Sequence, residues 1–224
     1  DAIFEAIEFA AQYFLTSTSL QEGIQGILER LGRATGVSQV TLFTLQSLTE
    51  QGMNLTPHTL WKPSFQQQKT ASEANEYIQS PSSEANLADE AASIDPKTRN
   101  FPRWMERLRK GLSIYGDVRV LPPTERKVLE KQHIRSIAVI PIFVQQNWWG
   151  FLEFDECVEE RAWLLSEAEA LKAVANMIGV AIQRERVQKA LQQSEERFRM
   201  IADFSYDWVY WVGPQGELLY TSPS

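Results

Sequence analysis

Cysteine, histidine and long apolar runs are scarce in this chain of 224 residues. It has one cysteine, Cys157, and two histidines, His58 and His133. One cysteine excludes an internal disulfide bond, and these three residues lie too far apart in the sequence to form a metal-ligand motif. No run approaches the roughly 20 apolar residues that a membrane-spanning helix needs. We therefore expect no zinc or iron–sulfur site and no membrane contact within this sequence.

Basic residues are also fewer than acidic residues in this chain. The net charge is −7, and lysine and arginine are spread through segments that are rich in glutamate. Without a basic face to gather phosphates, nucleic-acid binding is not expected. Hydrophobic residues make up 43% and charged residues 23%, a balance typical of a soluble globular protein, and we expect it in the cytoplasm. The first residue is Asp1 and not methionine, so further segments are expected upstream.

The N-terminal part predicts two helices followed by strands. Apolar residues recur at helical spacing over 3–14, and a second helix begins at Ser19, where Ser-Leu-Gln-Glu forms a capping box. Gly36 ends that helix, and alternation over 37–45 predicts the first strand. A shorter strand is expected at 59–61.

Residues 66–100 differ in composition from the rest of the chain. They are rich in Gln, Ser, Ala, Asn and Glu and contain few apolar residues. So long a polar connection is either a partly ordered surface loop or a lid over a functional site, and the sequence leaves both open.

A pair of apolar strands dominates the second half of the chain. Residues 134–144 and 148–154 are apolar at odd and even positions alike, which predicts a sheet covered on both faces. Asn147 is expected to take the left-handed position of the hairpin turn between them. Strict alternation along the last strand predicts that Trp149 shares a face with Phe151. The other predicted elements of this half are helices at 101–109 and 124–131 and a strand at 112–118.

A long helix begins at Ser166 and carries two apolar patterns. The first pattern, suited to packing on the sheet, comprises Leu171, Val174, Ile178 and Ile182. The second recurs at heptad spacing and is interrupted by Arg184 and Ser194. Its members are Met177, Val180, Val187, Leu191, Phe198 and Ile201. The heptad pattern predicts a homodimer through a parallel coiled coil, with capping of a monomeric core as the alternative.

Three segments ahead of the long helix carry a family pattern. They are Ile134-Arg-Ser-Ile-Ala-Val-Ile-Pro-Ile-Phe-Val, Trp148-Trp-Gly-Phe and Phe154-Asp-Glu-Cys. This pattern resembles a GAF domain, the sensory module that precedes histidine kinases and diguanylate cyclases. The aromatic segment at the C-terminus resembles the first two strands of a PAS domain. The expected division is a connecting helix (1–16), a GAF domain (17–183), a coiled-coil signalling helix (184–202) and the incomplete start of a PAS domain (203–224).

The resemblance implies an α+β fold with a central antiparallel sheet of about six strands, flanked by helices, with long N- and C-terminal helices. It also implies helices on one face of the sheet and a small-molecule pocket on the other. Four large aromatic residues on elements that would border the open face are candidates for lining this pocket, with ordinary core packing as the alternative. They are Trp61, Trp104, Tyr115 and Phe143.

The sequence lacks the motifs by which members of the family bind bilins or cyclic nucleotides. Bilin-binding members usually show a cysteine followed by histidine, whereas Cys157 is followed by Val158 and lies among carboxylates, which raise a thiol pKa. The family's cyclic-nucleotide motif, an Asn-Lys-containing stretch ending in Phe and Asp, is not found. We therefore expect neither a bilin nor a cyclic nucleotide, and the cofactor or ligand stays unknown.

Catalysis is not expected within this chain. His58 and His133 are interpreted as polar turn residues because neither is followed by an acidic residue, as a phospho-acceptor histidine would be. No glycine-rich ATP-binding segment is found. The acids considered as an acid–base pair, and expected instead to be solvated surface carboxylates, are Glu125, Glu130, Asp155 and Glu156. Asp155 is also expected to pair with Arg161 ahead of the long helix.

The predicted function is that of a cytoplasmic sensory module in a two-component signal-transduction protein. A small molecule or partner would shift the packing of the long helix, and a dimeric helix would relay that shift to an output domain. The full-length protein is expected to be a sensor histidine kinase or a diguanylate cyclase. The alternatives are a ligand-free structural dimerisation module and a bilin-binding photosensor.

Overall fold

The computed structural model of the protein describes residues 2–16, 20–49, 52–63, 101–203 and 210–221. The predicted capping box at Ser19 and the polar segment 66–100 lie outside the described residues. The chain divides into two compact units, Asp1–Ile182 and Gln183–Ser224.

The first unit is built on one antiparallel sheet of five strands in the order β2-β1-β5-β4-β3. Its elements are α1 (Ala2–Thr16), α2 (Leu20–Thr35), β1 (Gln39–Thr49), β2 (Gly52–Trp61), α3 (Pro102–Arg109), β3 (Ile114–Asp117), a 3₁₀ turn (Val118–Val120), α4 (Pro123–Lys131), β4 (Ser136–Val144), β5 (Asn147–Glu156) and the first part of α5 (Leu165–Asp203). The α+β class is confirmed, and the described residues contribute five strands to the sheet where about six were expected. The last strand of this sheet in sequence order, β5, lies at its centre.

One face of the sheet, called the helix face below, packs against α1, α2 and α5. Its strand residues alternate with those of the other face, as in Val40 and Leu42 of β1. The predicted stripe of α5 is buried in this core, as expected, and comprises Leu171, Val174, Ile178 and Ile182. Gly179 allows α5 to approach β4 closely, because a Cβ at this position would overlap the carbonyl oxygen of Phe143.

The opposite face, called the second face below, packs against α3, the 3₁₀ turn and α4. Ile137 and Val139 of β4 point to this side, between the neighbours that point to the helix face. Helical side chains that complete this core are Trp104 and Leu108 of α3 and Leu129 of α4. Both faces of β4 are therefore apolar and covered, as its sequence predicts.

A β-bulge in the β4–β5 hairpin reverses one prediction. The register slips by one residue, because Trp149 is inserted between two residues of β5 that pair with consecutive residues of β4. The extra residue changes the alternation, so Trp149 packs on the helix face with Leu152, and Trp148 packs on the second face with Phe151. The predicted sharing of a face by Trp149 and Phe151 is wrong for this reason.

Two local features also differ from the sequence predictions. The residue with left-handed backbone in the β4–β5 turn is Gln145, at φ 58°, and Asn147 is the first residue of β5. Strand β2 begins at Gly52 and is longer than the predicted 59–61, because it pairs with β1 along its whole length. Cross-strand pairing is a tertiary feature that alternation within one segment does not display.

The second unit comprises the remainder of α5 and a two-stranded antiparallel hairpin. The hairpin strands are β6 (Tyr210–Val212) and β7 (Leu218–Thr221), and the rings of Trp211 and Tyr220 lie 5.2 Å apart. The predicted aromatic hairpin is thus observed, and its assignment to a PAS domain stays a prediction. Among the helices of the described residues, none combines the length and the apolar character that crossing a membrane requires.

Candidate functional site

Polar groups occupy part of the second face along the neighbouring strands β1 and β5. The cross-strand pairs, in order, are Phe43 with Phe151, Thr41 with Glu153, and Gln39 with Asp155. Directly opposite residues of antiparallel strands have their side chains on the same face, with Cβ atoms about 4.5–5.5 Å apart. These are alternate pairs of the ladder, and along them the second face changes from aromatic to acidic.

These polar groups are shielded from water. Thr41 and Asp155 are 0% exposed and Glu153 is 1% exposed. Asp155 Oδ2 accepts a hydrogen bond from Gln39 Nε2 at 2.6 Å. Within the described part of the chain, the buried Thr41 hydroxyl has no hydrogen-bond partner. Burying carboxylates and hydroxyls is costly, so their presence at the centre of an otherwise apolar sheet face marks a candidate binding site.

An ion pair between a buried carboxylate and a partly exposed guanidinium joins α3 and α4 over the same face. Glu125 Oε1 accepts a hydrogen bond from Arg103 Nε at 2.6 Å, and Oε2 accepts one from Trp104 Nε1 at 3.0 Å. A second guanidinium nitrogen of Arg103 contacts Oε2, which completes a bidentate pair. The hydrogen bond to Glu125 raises the pKa of Arg103. Because bidentate geometry restricts both partners, this cluster sets how the two helices cover the sheet.

The four aromatic residues predicted to line a pocket do not lie together. Trp104 is buried in the core of the second face, and Phe143 is half-buried opposite Trp148 on that face. Trp61 belongs to the helix-face core, and Tyr115 is 37% exposed on the edge strand β3. Ligand contact by Trp104 and Phe143 is compatible with a site on the second face and stays a prediction. Trp61 and Tyr115 lie away from that site.

Three of the four carboxylates expected at the surface are buried. Glu125, Asp155 and Glu156 are 2%, 0% and 7% exposed, whereas Glu130 on α4 is exposed. The expectation was wrong because β5 continues through Glu156, and because Glu125 turns inward to α3. The alternation in Leu-Glu-Phe-Asp-Glu, which puts Glu153 and Asp155 on one face, is the sequence signal that could have located the acidic part of the site.

Cys157 directly follows β5 and packs against the second-face core. Its backbone N–H donates to Ser38 Oγ at 2.9 Å. Burial, together with the smaller effect of the carboxylates of Asp155 and Glu156, raises the pKa of the Cys157 thiol to about 11. The direction agrees with the sequence interpretation, although burial and not charge is the larger cause. Such a thiol is a poor nucleophile near neutral pH.

The turn between β5 and α5 is held by Arg161, but not through the predicted partner. Its guanidinium contacts the Thr35 carbonyl oxygen and the Glu167 carboxylate, and lies 4.4 Å from the Trp163 ring centroid. The expected pairing with Asp155 is wrong, because that side chain lies on the second face while α2 and α5 cover the helix face. The turn thus fixes the start of α5 to the end of α2.

A groove of about 800 Å³ opens beside Trp61 at the end of α2. Its charged lining groups include Glu156 and Arg161. Glu156 Oε1 accepts a hydrogen bond from Ser38 Oγ at 3.1 Å, and Arg161 pairs with Glu167. Because these internal bonds already engage both Glu156 and Arg161, we rank the groove below the second face as a candidate site.

The residues predicted to form a dimer seam on α5 are accessible to a partner. More than half of the surface of each of four apolar residues is exposed, namely Val180, Val187, Leu191 and Phe198. Met177 packs partly against the helix-face core, and the side chain of Ile201 lies outside the described residues. Dimerisation through this helix stays a prediction.

Comparison with known families and proteins gives matches over most of the chain. The family model that matches is that of the GAF domain, over residues 19–182. The chain is 27% identical over 195 residues to the methanogenesis regulatory histidine kinase FilI of Methanothrix harundinacea. It is 28% identical over 74 residues to the circadian input-output histidine kinase CikA of Synechococcus elongatus. These alignments cover 87% and 33% of this chain but only 20% and 10% of the relatives, so the chain spans a small part of each.

Solved structures share the architecture at low sequence identity. The phycocyanobilin-bound GAF domain from a cyanobacterial phytochrome has a TM-score of 0.58 at 16% identity, covering 83% of this chain and 96% of that chain. The phycoerythrobilin-bound GAF domain from a cyanobacterial phytochrome has a TM-score of 0.58 at 15% identity, covering 84% of this chain and 98% of that chain. This similarity shows the fold and confirms the predicted GAF-like architecture.

Proposed function

Because the chain belongs to the GAF domain family, we propose that it is the sensory module of a signal-transduction protein. In this proposal it binds a small molecule on the second face of its sheet and relays occupancy through α5. The observation that carries the proposal is the buried polar group set of Thr41, Glu153 and Asp155 on one face of the strands whose other face holds α5. The histidine kinase relatives support a role in signalling.

The packing of α5 supports the relay. Leu171, Val174 and Ile178 lie in the helix-face core with Leu152 of β5, the residue next to Glu153. Since successive side chains of a strand point to opposite faces, a displacement of β5 caused on one face is felt on the other. A ligand shifts the position of α5 to the extent that it binds one packing arrangement more tightly than another.

Ligand binding is tested by a thermal-shift screen of metabolites and nucleotides against this chain. A ligand at about a hundred times its dissociation constant stabilises the folded state by roughly 2.7 kcal/mol, which raises the melting temperature measurably. Phycocyanobilin and biliverdin form a separate arm, read by absorbance, because the structural neighbours are bilin-bound. If neither arm yields binding, ligand sensing is contradicted and the structural dimerisation module is the better explanation.

Homodimerisation through α5 is part of the proposal and is tested with charges. Leu191→Glu combined with Phe198→Glu is expected to convert a dimer into a monomer in sedimentation equilibrium, because four carboxylates would meet at an apolar seam. The matched control is Gln192→Glu combined with Gln193→Glu, which adds the same charge outside the heptad positions. A wild-type chain that is monomeric at high concentration would contradict the dimer, as would equal effects of the two double variants.

We further infer that the full-length protein is a cytoplasmic sensor histidine kinase. Both named relatives are histidine kinases, which favours this output over a diguanylate cyclase. In this proposal β6 and β7 begin a PAS domain. The sequence of the gene beyond Ser224 tests both points: a PAS domain followed by a kinase core supports them, and a cyclase domain contradicts the kinase.

A further inference from the structure

The segment between β5 and α5, residues 157–164 and called the exit turn below, is tied to both layers that cover the sheet. Glu160 forms an ion pair with Arg119 of the 3₁₀ turn on the second face, with nitrogen and oxygen 2.5 Å apart. The guanidinium of the next residue, Arg161, contacts the Thr35 carbonyl oxygen at the end of α2, which covers the helix face. Two consecutive residues of the exit turn therefore connect it to opposite layers.

The cation that holds Glu160 is positioned by the second face. Arg119 Nη2 also lies 2.6 Å from Asp117 Oδ2, and Asp117 Oδ1 accepts a hydrogen bond from the backbone N–H of Arg119 at 2.8 Å. Val118, which lies between these two residues in the sequence, is buried in the second-face core. Because the 3₁₀ turn and the guanidinium are held together, a change in the packing of Val118 is expected to move the partner of Glu160.

The backbone of Arg161 is anchored to the sheet by a single buried hydroxyl. Its N–H donates to Ser136 Oγ at 2.7 Å, and Ser136 Oγ donates to the Arg161 carbonyl oxygen at 3.0 Å. Ser136 is the first residue of β4 and is 0% exposed. Arg161 is thus a fixed point, with Glu160 before it and the start of α5 after it.

The side chain of Arg161 reaches the cap of α5. Its guanidinium contacts the carboxylate of Glu167, and Oε2 of that carboxylate accepts a hydrogen bond from the backbone N–H of Leu164 at 2.9 Å. Leu164 directly precedes α5, so Glu167 reaches back to the helix start as the acid of a capping box does. The side chains of Arg161 and Glu167 are 22% and 17% exposed, so solvent screens this pair less than a fully exposed one. The carboxylate that caps α5 is therefore oriented by the exit turn.

We propose that the exit turn couples the second face to the start of α5, through Arg119 and Glu160 on one side and through Arg161 and Glu167 on the other. The inference rests on the proposed function and deepens it, because it names the contacts by which a change on the second face reaches the helix. Packing against Leu152 acts further along α5, whereas these contacts act on its first turn.

Two backbone amides report the state of the cap. The N–H of Leu164 donates to Glu167, and the N–H of Ala168 donates to the Leu164 carbonyl oxygen at 3.1 Å. Their hydrogen exchange, measured by NMR on this chain, follows local opening of the first turn of α5. Glu160→Gln is expected to accelerate exchange at both amides about threefold, a local effect of the size that one exposed ion pair allows. The matched control, Glu159→Gln, removes the same charge from the neighbouring exposed residue and is expected to leave both amides unchanged.

Transmission from the second face is tested with Val118→Ala, which loosens the packing beside Arg119. This variant is expected to accelerate exchange at the two reporter amides, and most of that effect should be lost in the Glu160→Gln background, where the connection is already broken. The amide of Leu152 in the central strand corrects for any change in global stability. Arg119→Gln is a second variant of the same pair, and it should add little to Glu160→Gln in the double variant.

Two results would overturn the coupling. One is equal exchange at the reporter amides in Glu160→Gln and Glu159→Gln, and the other is an effect of Val118→Ala that persists undiminished in the Glu160→Gln background. Neither measurement uses a ligand. Failure here therefore leaves the sensor proposal to be decided by the ligand screen, whereas an empty screen with the coupling intact contradicts the sensor proposal alone.

Discussion

The ion pair between Glu125 and Arg103 allows a quantitative prediction. The Glu125 side chain is 3% exposed and accepts hydrogen bonds from the guanidinium and from the indole N–H of Trp104. Glu125→Gln keeps the volume of the side chain but removes the charge and replaces one acceptor with a donor. At least one N–H of the cluster then loses its acceptor.

The expected loss follows from the hydrogen bonds that are replaced. Bonds to charged groups contribute about 1.5–3 kcal/mol each, and Arg103 remains 36% exposed, so water recovers part of its loss. We expect the free energy of unfolding to fall by about 2 kcal/mol. For a domain of this size that corresponds to a decrease of roughly 4–8 °C in melting temperature, measured by calorimetry or circular dichroism.

Glu130→Gln is the matched control on the same helix. Glu130 lies 3.7 Å from Arg126 in an exposed pair, and such pairs contribute about 0–1 kcal/mol. Coupling between Glu125→Gln and Arg103→Gln in a double-mutant cycle checks that the loss comes from this pair. If Glu125→Gln is no more destabilising than Glu130→Gln, the assignment of a stabilising role to the cluster is refuted.

Two further predictions concern the helix contact and the thiol. Gly179→Ala is expected to destabilise the first unit, because a Cβ at this position overlaps a carbonyl oxygen of β4. The control is Gly26→Ala in α2, which has no atom within 4 Å of the added Cβ and should stabilise the protein by about 0.5–1 kcal/mol. Similar melting temperatures for the two variants would contradict the close contact. Cys157 has a pKa of about 11 against an ordinary 9.0, so native protein should resist iodoacetamide at pH 8, and unfolding by urea should expose the thiol to alkylation. Since the folded state holds the thiol proton more tightly than the unfolded state, the contribution of Cys157 to stability is complete below pH 9 and declines as the pH rises towards 11. Fast alkylation of the native protein at pH 8 would contradict the raised pKa.

The fold was predictable where one segment carries the whole signal. The doubly apolar β4 predicts a sheet covered on both faces, and the stripe from Leu171 to Ile182 predicts a helix packed on it; both are observed. These features depend on side-chain period within a single segment, which the sequence displays directly. The same reasoning predicts a dimer seam from the heptad positions of α5, and this seam stays a prediction.

The acidic part of the second face was less predictable. Alternation around Glu153 and Asp155 was visible, but whether that face is solvated depends on what covers it. Thr41 and Gln39 meet these acids only because β1 pairs with β5, more than a hundred residues later in the chain. Likewise, Glu125 is buried because α3 brings Arg103 to it, and an isolated amphipathic helix does not reveal that partner.

The sequence by itself determined the period of each element, the apolar faces of the sheet and the membership of the family. Only the tertiary structure decided which polar residues share an environment. The bulge at Trp149 shows the reason, because one inserted residue exchanges the faces of the two tryptophans without any change in local composition. Burial and register are relations between distant segments, so the acids of β5 became a candidate site only once β1 and β4 were in place beside them.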